Sequence, residues 1–115
     1  MSIDVKEIAQ RALEAANLAG DKWMAEMNPN NEDVSRRMLD VCGFANVQFT
    51  DGRSKWYKEF KKAGLIRSEY SKTVDIYHKW KHRQDWALAE TCAYAIYKTF
   101  REAGIDKIKV WSMID

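Results

Sequence analysis

Residues 86–115, WALAETCAYAIYKTFREAGIDKIKVWSMID, read as one long apolar helix, a glycine stop and a closing strand. Trp86, Ala89, Ala93, Ile96, Tyr97, Phe100 and Ala103 recur at three- and four-residue steps, the spacing that lines one helical face. Leu88, Cys92 and Ala95 widen that face, so the helix calls for neighbours on more than one side. Gly104 ends it, because glycine alone takes the left-handed C′ conformation without a steric penalty. Beyond the stop, Ile108, Val110, Ser112 and Ile114 alternate with Lys109, Trp111 and Met113, the two-residue period of a strand.

Upstream, Ser2 is placed to cap a first helix that runs to about Met27, with Ile8, Ala12, Ala15, Ala16, Ala19 and Trp23 as its buried stripe. The turn formers around Pro29 end it, and a short second helix is expected at 32–39. Residues 41–49, VCGFANVQF, alternate as a strand: Val41, Ala45, Val47 and Phe49 share one parity, and Cys42, Phe44, Asn46 and Gln48 the other. Gly43 within it marks a close-packing position or a bulge. A helix over 54–63, with Trp56, Phe60 and Ala63 on one side, stops at Gly64. Residues 65–71 read as a connection. In 73–78, Val74, Ile76 and His78 alternate with Thr73, Asp75 and Tyr77, and a basic loop at 79–85 leads into the long helix.

The order is therefore α-α-β-α-β-α-β. Strands separated by helices suit right-handed crossovers, so the expected fold class is α/β: a two-layer sandwich whose small three-stranded, mainly parallel sheet carries helices on one face. An α+β arrangement stays open as the alternative. At 115 residues the chain reads as a single domain, a helical part over 1–40 followed by a βαβαβ part over 41–115.

With 46% hydrophobic residues, five Trp and one Pro, the composition excludes a largely disordered or collagenous chain. No apolar run reaches the roughly 18 residues of a membrane span, and MSIDVKEIAQ lacks the basic and apolar blocks of a signal peptide, so the expected location is the cytoplasm. Cys42 and Cys92 have no metal-type spacing and read as reduced, structural thiols.

The formal charge of +2 is unevenly spread: residues 53–83 hold ten Lys and Arg against three Asp and Glu. This basic stretch interleaves its cations with Trp56, Tyr57, Tyr70, Tyr77 and Trp80. Cations neutralise phosphates and flat rings stack on unpaired bases, which describes a nucleic-acid surface if the two sets converge. Exposed aromatics beside basic groups equally describe a protein-binding patch, here Tyr57, Tyr77, Trp80 and Trp111.

His78 and His82 stand four apart with Asp75 nearby. A strand separates residues four apart by about 13 Å, and no third ligand is in view, so no metal site is expected. G-x-S-x-G, H-E-x-x-H, the P-loop and G-x-G-x-x-G are all missing from the sequence, which leaves the two histidines as the candidate general acid or base. The expectation is a non-enzymatic protein without a cofactor.

Asp40-Val41-Cys42-Gly43-Phe44-Ala45-x-Val47, Ser54-Lys55 with Phe60, the Lys61-Lys62-x-Gly64 helix end, Tyr70 and Arg101-Glu102-Ala103-Gly104-Ile105 together resemble a family of small tailed-bacteriophage proteins of unknown function. Ala16-x-x-Ala19-Gly20 and Asn28-Pro29 resemble that family's amino-terminal half, and Ser112-Met113-Ile114-Asp115 its terminal S-R-x-D. Asn46 stands where the family usually has an aromatic, Ser71-Lys72-Thr73 replaces a glycine-rich strand entry, and Met113 replaces an arginine. The resemblance implies a phage accessory protein that acts on a host macromolecule. The expected function is binding of a host protein, as an inhibitor or modulator, through Tyr57, Tyr77, Trp80, Lys58, Lys62, Lys81 and Arg83. Nucleic-acid binding by 53–83 is the alternative, and the expected state is a monomer or homodimer.

Overall fold

A computed structural model describes residues 4–115. Helix α1 spans Val5–Met27, strand β1 Gly43–Phe49, helix α2 Lys55–Lys62, strands β2 and β3 Ile66–Ser68 and Thr73–Val74, helix α3 Trp86–Glu102 and strand β4 Ile108–Ile114. Ser2, the expected cap of α1, lies outside the described residues. The cap described is Asp4, whose Oδ1 accepts from the N–H groups of Lys6 (3.0 Å) and Glu7 (3.3 Å).

The sheet corrects the expected fold class. It has four strands in the order β2-β3-β1-β4, and every neighbouring pair is antiparallel, so the fold is α+β rather than a three-stranded, mainly parallel α/β sheet. The two helical crossovers do exist. β1-α2-β2 joins two strands of the same direction, but β3 lies between them; β3-α3-β4 does the same, with β1 in the gap. From β1 onward the chain is thus an interleaved β-α-β-β-α-β unit in which no two parallel strands touch. Recognising it requires β2, which is only Ile-Arg-Ser and too short to show an alternating pattern. The expected strand over 73–78 shrinks to Thr73–Val74, although Ile76 and His78 stay buried and Asp75 and Tyr77 exposed as their alternation requires.

The core lies between the sheet and the helices. Ala45, Val47 and Phe49 of β1 face Leu88, Ala93, Ile96 and Phe100 of α3, and Phe60 of α2 stands edge-on to both Phe49 (5.3 Å between ring centroids) and Phe100 (5.2 Å). Small residues let α1 approach its neighbours closely: Ala16 O accepts from Cys92 Sγ of α3 at 3.5 Å, and a Cβ on Gly20 would overlap the indole of Trp80, in the loop before α3. Gly64 (φ 76°) and Gly104 (φ 89°) take the left-handed conformation that ends α2 and α3.

The expected helix at 32–39 does not form, because distant side chains claim its backbone. Arg83 donates from Nη1 to Val34 O (2.9 Å) and from Nη2 to Arg37 O (3.0 Å), while Asp85 Oδ1 accepts from Leu39 N (2.6 Å) and Asp40 N (3.1 Å). Asp40 Oδ2 in turn accepts from Ala87 N (2.7 Å), capping α3 from a loop about fifty residues upstream. Residues 28–42 are therefore an irregular strap tied across the start of α3.

Candidate binding site

Helices cover one face of the sheet; among the described residues no helix covers the other. Strand alternation places Phe44, Asn46 and Gln48 of β1 on that open face, paired across the ladder with Met113, Trp111 and Lys109 of β4. The rings of Phe44 and Trp111 lie 5.6 Å apart between centroids. Phe44 and Met113 are 40% and 46% exposed, an apolar centre on a surface the core does not need.

Beside this cluster the sheet is split. β1 and β3 share a single registered pair, Gln48 and Thr73, after which residues 75–83 leave the strand. The edge is met again only at Cys42 and Asp85, with Gly43 N donating to Gln84 O (2.8 Å). A cavity of about 210 Å³ occupies the gap, lined by Phe44, Ala45, Asn46, Arg67, His78, Trp80, Lys81, Arg83 and Ala89. Within it, Asn46 Oδ1 accepts from both Arg67 Nη2 (3.0 Å) and Lys81 Nζ (3.1 Å). Among the described residues, neither cation makes an ion pair with a carboxylate.

The electrostatics follow from this crowding. Burial, reinforced by the charge of Arg67 and opposed by that of Asp75, lowers the Lys81 pKa. Burial, with the charge of Lys81, pushes His78 down to about 4, so its imidazole is neutral at pH 7. His78 Nδ1 is buried without a hydrogen-bond partner. Cys92, behind this layer, is pushed up to about 12 by burial and is an inert thiol.

A larger cleft of about 560 Å³ lies between the end of α1, the 28–38 strap and residues 80–84. Much of its charge is already matched: Arg37 pairs with Glu32 (3.4 Å), and Arg83 with the fully buried Asp85 (2.6 Å).

The residues expected to form one surface are dispersed. Tyr57 is 6% exposed and packs edge-on against Phe49, so its ring belongs to the core and is not a surface anchor. Lys58 and Lys62 are exposed on α2, which follows the Phe49 end of β1, whereas the 78–84 loop meets β1 at its Gly43 end. Trp80 is half-buried against Gly20 and donates from Nε1 to Asp21 Oδ1 (3.0 Å). Arg83 is committed to Asp85 and the strap. Lys81 reaches the pocket, and Tyr77, 74% exposed, stands free beside the same segment. His78 and His82 do not converge, since the first is buried and the second exposed. The outward parity of Phe44, Asn46, Trp111 and Met113 was the signal for the open face, and Arg67 joins it only through the tertiary fold.

No helix among the described residues is long and apolar enough to cross a membrane, and no three His, Cys, Asp or Glu among them are grouped to hold a metal ion. No family model, curated protein or solved structure matches the chain.

Proposed function

We propose that this chain is a small accessory protein that binds another protein, a host protein as the resemblance to tailed-phage proteins implies, through the open sheet face centred on Phe44 and Trp111. The observation that carries this reading is the apolar cluster of exposed Phe44 and Met113 with half-buried Trp111 on the sheet face away from the helices, with Arg67, Lys81 and Lys109 around it. Specific interfaces have this anatomy: aromatic anchors in a desolvated centre and polar, charged groups at the rim. The basic rim favours a partner whose contact surface is acidic around an apolar centre.

The same face gives nucleic acid a specific argument, because outward rings flanked by cations on a four-stranded antiparallel sheet can stack unpaired bases. The apolar Met113 and the direct packing of Phe44 on Trp111 favour the protein reading, since each ring already occupies part of the other's stacking surface. Capture from bacterial lysate with and without nuclease, with Trp111→Ala alongside the unmodified chain, tests the choice. A protein retained by the unmodified chain and lost from the variant supports the proposal. Retention that vanishes with nuclease transfers the face to nucleic acid.

A further inference from the structure

We propose that the split between β1 and residues 75–83 is a binding pocket for the oxyanion group, phosphate or carboxylate, of a small organic ligand, held by Lys81 and Arg67. The pocket adjoins the apolar cluster, sharing Phe44 with it and Arg67 and Lys81 with its rim, but it is argued from the charge and donors of the gap and not from what docks on the cluster.

Charge supplies the first argument. Lys81 is mostly buried and Arg67 stands at the mouth of the cavity, yet both point at one neutral acceptor, Asn46 Oδ1, at 3.1 and 3.0 Å. Two cations sharing an amide oxygen repel each other, and a mostly buried ammonium without a counter-ion is strongly disfavoured. Asp75, the carboxylate whose field reaches Lys81, is exposed and forms no ion pair with either cation. An anion entering the cavity would supply the missing charge and accept from both donors.

Donor geometry supplies the second. The N–H groups of Gly43 and Phe49 point to the β3 side of β1, where they bond Gln84 O and Lys72 O. Strand alternation turns that of Ala45, a residue lining the cavity, to the same edge, and no β1–β3 pair is registered beyond Gln48 and Thr73, so it faces the gap. His78 contributes a buried ring nitrogen, Nδ1, that no residue satisfies. Buried polar groups are ordinarily paired, and an unpaired one lining a cationic cavity marks a place for a ligand atom.

The walls limit the rest of the ligand. Phe44, Trp80, Ala45 and Ala89 are apolar, and about 210 Å³ admits a compact organic acid or phosphate ester rather than a polymer.

The test is a two-dimensional amide NMR titration of the full chain with inorganic phosphate, phenyl phosphate, acetate and benzoate, at low salt and constant pH. The expected result is a saturable shift of the Ala45 and Asn46 amides by at least one of the four, with affinity falling about tenfold or more in Lys81→Met. Arg67→Met should weaken binding in the same way; its side chain is exposed, so this variant carries the test if Lys81→Met fails to fold. Lys62→Met, on the remote helix α2, should bind as the unmodified chain does. Preference for the phosphates or for the carboxylates identifies the group. No saturable shift with any of the four, or shifts unchanged in Arg67→Met, would overturn the proposal.

Discussion

Arg83 and Asp85, two residues apart, form an ion pair in which Arg83 Nε stands 2.6 Å from Asp85 Oδ2, and each partner also holds the strap of residues 28–42. Asp85 is fully buried, and its two carboxylate oxygens accept three hydrogen bonds, from Leu39 N, Asp40 N and Arg83 Nε. Removing one side of such a pair leaves a buried charge and orphaned backbone donors. Asp85→Ala should therefore lower unfolding free energy by about 3–5 kcal/mol, measured by urea denaturation. An exposed pair such as Arg11–Glu7 should give under about 1 kcal/mol by the same measurement.

Gly43 lies where no side chain fits. A Cβ there would come within 2.6 Å of both Met113 O and Trp86 Cδ1, and the first is backbone that cannot swing away. Gly43→Ala should cost about 1–3 kcal/mol by forcing β1 and β4 apart, and the damage should appear in the amide exchange of Met113 and Ile114 before that of α1.

His78 links stability to pH. Its pKa is lowered from 6.5 to about 4 in the folded chain, so between those values the unfolded state binds the extra proton. Its contribution is fully present above pH 6.5 and is lost as pH falls through 4, amounting to roughly 3 kcal/mol at the acid end. His78→Phe should flatten the stability profile across that window. An unchanged slope between pH 4 and 6.5 would place the acid sensitivity elsewhere.

Cys92, with its thiol pushed up to about 12 and no exposed surface, should resist alkylation at pH 8 until the chain unfolds. Mass spectrometry after a brief iodoacetamide pulse, with and without denaturant, reads this directly.

The helices and the long strands were legible in the sequence because each is long enough to show its period. α1 and α3 carry apolar stripes at three- and four-residue steps, and Gly64 and Gly104 stop α2 and α3 where left-handed backbone is required. Two tertiary effects were not legible. The three residues of β2 carry no pattern, and missing that strand turns an interleaved antiparallel sheet into an apparent parallel one. Residues 32–39 read as a short helix, yet Arg83 and Asp85 take backbone groups of this stretch from more than forty residues away.

The site was legible by halves. Alternation in 41–49 and 108–114 already sets Phe44 and Trp111 opposite the buried positions. The basic stretch 53–83, continuous in sequence, instead passes from one end of the sheet to the other: its α2 lysines and its loop residues Trp80 and Lys81 never meet, and Tyr57 is core. Convergence of Arg67 and Lys81 on Asn46 depends on the register of β1, β2 and β3, which no local pattern encodes.

The most direct test of the open face as a recognition surface is the dissociation constant of a captured partner, measured with purified components, for the unmodified chain, Trp111→Ala and Lys58→Glu/Lys62→Glu. Truncating a central aromatic anchor typically costs about 2 kcal/mol or more, so Trp111→Ala should weaken binding roughly thirtyfold. The α2 charge reversals, away from the open face, should leave it within about threefold. Full affinity in Trp111→Ala together with loss in the α2 double variant would contradict the account and return the site to the lysines of α2.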